Sequence, residues 1–165
     1  MKKQKGFSLI ELLIVVAIIL IIAAIAIPNL LRSKMAANES SAVGSVRTIN
    51  TAEVTYASNY PDTGYAVAIG NLGGGAGICI AGFVATIATS CLIDPILSSG
   101  NKSGYTFTAA GAIVGGGPVN NTFTATAVPQ GIGTTGQRGF FSNESGVIRY
   151  TLNGTVPTVA SSPLQ

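Results

Sequence analysis

Apolar residues run without interruption from Leu12 to Ile27, and the chain changes character on either side of that run. Before it, Phe7, Leu9 and Ile10 are interspersed with Ser8 and Glu11. Taken from Phe7 to Leu31, the segment extends roughly 37 Å as a helix, enough to cross a hydrocarbon core of about 30 Å. Pro28 removes an N–H and frees the carbonyl of Ala24, so the helix either ends there or continues with a kink. The kink is preferred, because helical spacing resumes beyond it. Val46, Ile49, Ala52, Tyr56 and Tyr60 fall on one face, with Glu39, Ser40, Arg47 and Asn50 on the others. This stripe is read as packing that docks the helix onto a globular head. Tyr60-Pro61-Asp62-Thr63-Gly64 stops the helix, since proline disfavours helical geometry at the residue before it.

The pattern shifts after that stop. Residues 61–103 are rich in glycine (Gly70, Gly73, Gly74, Gly75, Gly77, Gly82) and read as a flexible connecting loop. Cys91 to Leu97 reads as a short helical turn leading into Ser98-Ser99-Gly100. Residues 104–165 read as β structure. Gly104–Ala109 and Thr122–Val128 alternate and are rich in β-formers, and Phe140-Phe141 and Gly146–Leu152 complete about four strands. Asn143-Glu144-Ser145-Gly146 makes a turn between the last two. The expected class is α+β, a long N-terminal helix packed by its second part on an antiparallel sheet with one solvated face.

Lys2, Lys3 and Lys5 precede Gly6 and hold the N-terminus in the cytoplasm by the positive-inside rule. A cleaved secretory signal would need an Ala-x-Ala-like cut after its apolar core, and the nearest match, around Ile22–Ala24, lies inside the run. An uncleaved signal anchor is the stronger alternative. Glu11 argues against it, because a carboxylate in a spanning segment costs about 2.5–3.5 kcal/mol at the centre and less near an end.

The ordered stretch Gly6-Phe7-Ser8-Leu9-Ile10-Glu11, followed by Leu12-Leu13-Ile14-Val15-Val16, resembles the start of a type IV pilin precursor of the class that begins with phenylalanine after a short leader. The resemblance implies the pilin fold and a division of the chain into a leader (1–6), a transmembrane and polymerisation helix (7–31) and its amphipathic continuation (32–60). It implies cleavage between Gly6 and Phe7 by a prepilin peptidase, with N-methylation of Phe7. It also implies that the Glu11 carboxylate meets the N-terminal amine of a neighbouring subunit. Such a pair attracts strongly where the local dielectric is low, and breaking it strands a buried charge at about 3–5 kcal/mol.

Charge and composition narrow the chemistry. Only 9% of residues are charged, against about 25% in ordinary soluble domains. The net charge of +3 is that of the three leader lysines. Without them, Arg32, Lys34, Arg47, Lys102, Arg138 and Arg149 balance Glu11, Glu39, Glu53, Asp62, Asp94 and Glu144, so no basic patch for nucleic acid is evident. The chain has no histidine, which leaves no Ser-His-Asp or Cys-His pair and no usual zinc set. Asp62 and Asp94 sit in no calcium-loop pattern and read as solvated turn residues. The Gly73-Gly74-Gly75 run lacks the Lys-Ser/Thr of a phosphate loop. No catalytic residue, cofactor or metal is expected. Cys79 and Cys91, an even count in an exported head, suggest a disulfide, with two buried thiols as the alternative.

The expected function is that of a structural subunit of a type IV pilus. It would reside in the inner membrane before assembly and then polymerise with identical copies into a surface filament. Its partners would be the peptidase and the pilus assembly machinery. A pseudopilin of a type II-like secretion system shares the same motif and is the alternative. A membrane-anchored binding module that never polymerises is the third reading, and Glu11 speaks against it.

Overall fold

A computed structural model describes residues 7–75 and 77–164. The expected leader, Gly6 included, lies outside the described residues. The chain divides into two compact units, Met1–Lys34 and Met35–Gln165.

Helix α1 spans Leu9–Asn59 without a break at Pro28, so the reading in which the helix ends there does not hold. In the first unit it is the whole of the described regular structure. Its residues there are almost all exposed, as an apolar helix without a partner must be.

In the second unit, Ala42, Val46, Ile49, Ala52 and Tyr56 of α1 are buried, with Tyr60 half-buried against them. The stripe read from the spacing is therefore the core face. It packs with Tyr105, Phe107, Phe123 and Phe140 from the sheet and with Leu72 and Leu97 from two four-residue helices, α2 (Ile69–Leu72) and α3 (Pro95–Ser98).

The sheet has six strands where four were expected. They are β1 (Asn101–Lys102), β2 (Tyr105–Ala112), β3 (Thr122–Pro129), β4 (Gly139–Asn143), β5 (Arg149–Thr151) and β6 (Ser162–Pro163), antiparallel and adjacent in chain order. The two unforeseen strands are two-residue edges, too short to show alternation. Gly146, Val147 and Ile148 were expected in a strand; they belong to the connection, and the strand begins at Arg149. The turn before them is as expected: the Gly146 amide donates to the Asn143 carbonyl, and Gly146 takes a positive φ of 71°.

Register matches large residues with small ones. Phe107 lies opposite Ala127 and Gly111 opposite Phe123, with the small pair Ala109 and Ala125 between them. Gly111 has a second reason to lack a side chain, since a Cβ there would sit 2.7 Å from the carbonyl oxygen of Ala66. That close approach lets the Gly111 amide donate to the same oxygen at 2.7 Å.

The connecting segment is more ordered than its glycines implied. The Leu72 carbonyl accepts the amides of Leu92 and Ile93, Ser90 donates to the Asn71 carbonyl, and a Cβ on Gly73 would collide with Ser98. The glycines of 73–74 let backbone and neighbouring side chains close up. Asp94 caps α3 by accepting the Leu97 amide at 2.9 Å, and Lys102 donates to its other oxygen at 2.9 Å. It is an N-cap and ion-pair partner rather than a merely solvated turn residue.

Candidate functional site

Two sets of residues carry chemistry beyond simple packing. The first is the start of α1. Phe7 is 78% exposed, and every Val, Leu and Ile side chain from Leu9 to Leu31 is at least 46% exposed. The most apolar 18-residue window of α1 has a mean hydropathy of 3.3, and none of it is buried. Water is a poor solvent for such a surface, at about 1.5–3 kcal/mol per large side chain.

Glu11 sits in the first turn, and its Oε2 accepts the backbone amide of Ser8 at 3.1 Å. The Leu12 amide donates to the Ser8 carbonyl, so Ser8 stands where a helix cap stands. A glutamate three residues on that reaches back to the cap amide is one half of a capping box. This local role was missed in the sequence, although Ser8-x-x-Glu11 before an apolar run is its signature. The carboxylate thus satisfies one helix-end donor within its own chain, and among the described residues no donor meets its other oxygen, Oε1. Glu11 therefore has a local use that an ordinary anchor would share, and its insertion cost alone no longer separates the readings.

The second set lies in the second unit, where two carboxylates are buried. Glu39 was assigned to an outer face and is in fact 8% exposed. Its Oε1 accepts the amides of Gln137 (2.8 Å) and Arg138 (3.1 Å), and its Oε2 pairs with Arg138 Nε at 2.7 Å. Burial opposes its charge, but those two amides and the guanidinium outweigh burial and hold the carboxyl below its ordinary value. The Arg138 guanidinium in turn lies over the rings of Phe140 and Tyr150, 5.7 and 5.8 Å from their centroids. Glu53 is fully buried, and its Oε2 accepts the Ala66 amide at 2.8 Å. Desolvation pushes its pKa up to about 7. The spacing held a signal that was not read, since Glu53 lies four residues after Ile49 and three before Tyr56, and Glu39 lies three before the buried Ala42.

Cys79 and Cys91 are joined by a disulfide, which settles the choice against free thiols. The enclosed loop is tied to α1 where the Tyr56 hydroxyl donates to the Ile87 carbonyl at 2.6 Å. Among the described residues, no three His, Cys, Asp or Glu side chains gather as a metal set. Glu11 and Pro28 belong to the first unit and the disulfide to the second.

Residues 1–27 match the family described as the prokaryotic N-terminal methylation motif. Over 40 residues the chain is 60% identical to the type IV wide pilus major component of Thermus thermophilus, covering 24% of this chain and 30% of that protein. Over 56 residues it is 45% identical to the type IV major pilin protein of Myxococcus xanthus, covering 34% of this chain and 26% of that one. The similarity to type IV pilins is thus carried by the N-terminal segment. Gly6, Phe7 and Glu11 all fall within the matched motif. These matches span less than a third of the length of either relative. No solved structure matches the chain.

Proposed function

We propose that this chain is the structural subunit of a type IV pilus and has no catalytic role of its own. The observation that carries the reading is an exposed apolar helix beginning within a methylation motif. In this reading the precursor is cut between Gly6 and Phe7 by a prepilin peptidase, and Phe7 becomes the methylated N-terminus. The helix is stored in the inner membrane until the subunit joins identical copies at the base of a filament, with the assembly machinery as partner. Exchange of lipid for neighbouring helices adds little hydrophobic gain, so packing and polar pairing direct the entry. The Glu11 carboxylate serves that pairing, exchanging or sharing its bond to the Ser8 amide for the amine of an adjacent Phe7. Pro28 gives the helix a point of bending, since the Ala24 carbonyl lacks its usual donor. The relatives are named as pilus components, so the secretion-system alternative is not carried forward.

The test is intact mass and N-terminal sequencing of material sheared from intact cells. Filaments whose subunit starts at N-methylated Phe7 are expected. A product beginning at Phe7 but confined to the membrane fraction would overturn the surface-filament reading, and retention of Lys2 and Lys3 would overturn the processing. Gly6→Phe is expected to leave the leader attached. Glu11→Ala is expected to give processed protein with little filament, and a normal yield would remove its pairing role.

A further inference from the structure

Among the described residues of the second unit, two buried acceptor atoms, Asn50 Oδ1 and Glu53 Oε1, have no hydrogen-bond donor. They belong to residues three apart on α1, a spacing that makes side chains neighbours on one face. Buried acceptors without donors are rare and costly. The remaining atoms of the same two side chains are engaged with different parts of the head. Asn50 Nδ2 donates to Ser142 Oγ in β4 at 2.7 Å, and Ser142 Oγ in turn donates to the Val147 carbonyl at 3.3 Å. Glu53 Oε2 accepts the Ala66 amide, and the Ala66 carbonyl accepts the Gly111 amide of β2.

One hydrogen supplies both orphans. We infer that Glu53 is held as the neutral acid and donates its carboxyl hydrogen to Asn50 Oδ1. This closes a single hydrogen-bonded chain from β2 through Ala66, Glu53, Asn50 and Ser142 to the β4–β5 connection. The chain is a proton-dependent clasp between α1, the connecting segment and the sheet.

The surroundings are consistent with a neutral group. Along α1 the ionisable neighbours are Tyr56, whose hydroxyl is bonded to Ile87, and Tyr60. The connecting segment carries Asp62, which is exposed, Tyr65, which stacks on Phe123, and Asp94 and Lys102, which pair with each other. In β2 the ionisable group is Tyr105, bonded to the Arg138 carbonyl. Strands β3 and β4 contribute none. Arg149 of β5 donates to the Ser161 carbonyl, and no cation pairs with Glu53 among the described residues. Desolvation of the carboxyl and the want of a counter-ion act in the same direction.

The full chain in detergent micelles, with 13C-labelled glutamate carboxyls, provides the test. The Glu53 resonance, identified by its loss in Glu53→Gln, should titrate near pH 7. A Glu53 midpoint at the ordinary glutamate value of 4.5 would overturn the inference. Asn50→Leu removes the acceptor for the carboxyl hydrogen while keeping the site dry, so it should lower the Glu53 midpoint. A midpoint unmoved in that variant would overturn the shared hydrogen. The melting temperature of the parent chain should fall by several degrees between pH 5 and pH 8, and Glu53→Gln should flatten that slope. An unchanged slope in Glu53→Gln would count against the clasp as well.

Discussion

The two parts of α1 obey one backbone geometry and two different solvents. From Leu9 to Lys34 its side chains are nearly all exposed, and from Leu12 to Ile27 they are apolar on every face. From Met35 to Asn59 it is amphipathic, with one face sealed against the sheet. The acidic residues invert the usual expectation. Glu11, in the apolar part, is exposed and bonded to its own chain, whereas Glu39 and Glu53, in the polar part, are buried and bonded to distant backbone. An apolar helix without a partner needs lipid or other helices to cover it, while an amphipathic one is completed by its own head. Position in the sequence therefore says little about a carboxylate's role until its solvent is known.

Substitutions on the two parts should separate these roles. Ile49 is fully buried and Ile18 about half exposed. Ile49→Ala should destabilise the head by about 2–5 kcal/mol in thermal or urea unfolding, whereas Ile18→Ala should leave that transition in place. Equal effects from both would erase the distinction. Replacing Cys79 and Cys91 together by serine should remove about 3 kcal/mol from the head without changing membrane retention, because the bond restricts the unfolded loop.

Glu39→Ala should cost about 2 kcal/mol, since it leaves two backbone amides and a partly exposed guanidinium without their acceptor. The same carboxylate sets an acid limit. Its folded pKa lies below its ordinary value of 4.5, so its contribution is present above that value and lost as pH falls through the lower folded one. Glu53 has the opposite sign. Between 4.5 and about 7 the folded chain holds a proton that the unfolded chain has released, so its contribution fades as pH rises across that window. Melting curves of Glu39→Ala and Glu53→Gln across pH 3 to 8 should therefore lose opposite ends of the pH profile. The smallest effect belongs to Asp94→Ala, about 1 kcal/mol, from loss of the α3 cap; its ion pair with Lys102 is too exposed to add much.

The motif Gly6–Glu11, the apolar run, the core stripe on α1, the two long strands and the turn at Asn143–Gly146 were all legible in the sequence. Each is a local pattern: a period, an ordered run or turn chemistry, carried by residues that are neighbours in the chain. The capping bond from Glu11 to Ser8 was equally local, and its four-residue signature was present though unread.

The rest required tertiary structure. The edge strands β1 and β6 exist because β2 and β5 offer them unpaired backbone groups; two residues cannot announce that by themselves. The order in the glycine-rich connection comes from Leu72, Asn71 and Ser98, which meet Leu92, Ile93, Ser90 and Gly73 only once the segment folds back on itself. Glu39 meets Gln137 and Arg138 across roughly a hundred residues of chain, and Glu53 meets Ala66 only once the connection folds back on α1. Periodicity reports which residues share a face. Burial of a charge depends on what arrives to cover that face and on the donors it brings, and that information is spread over the whole chain.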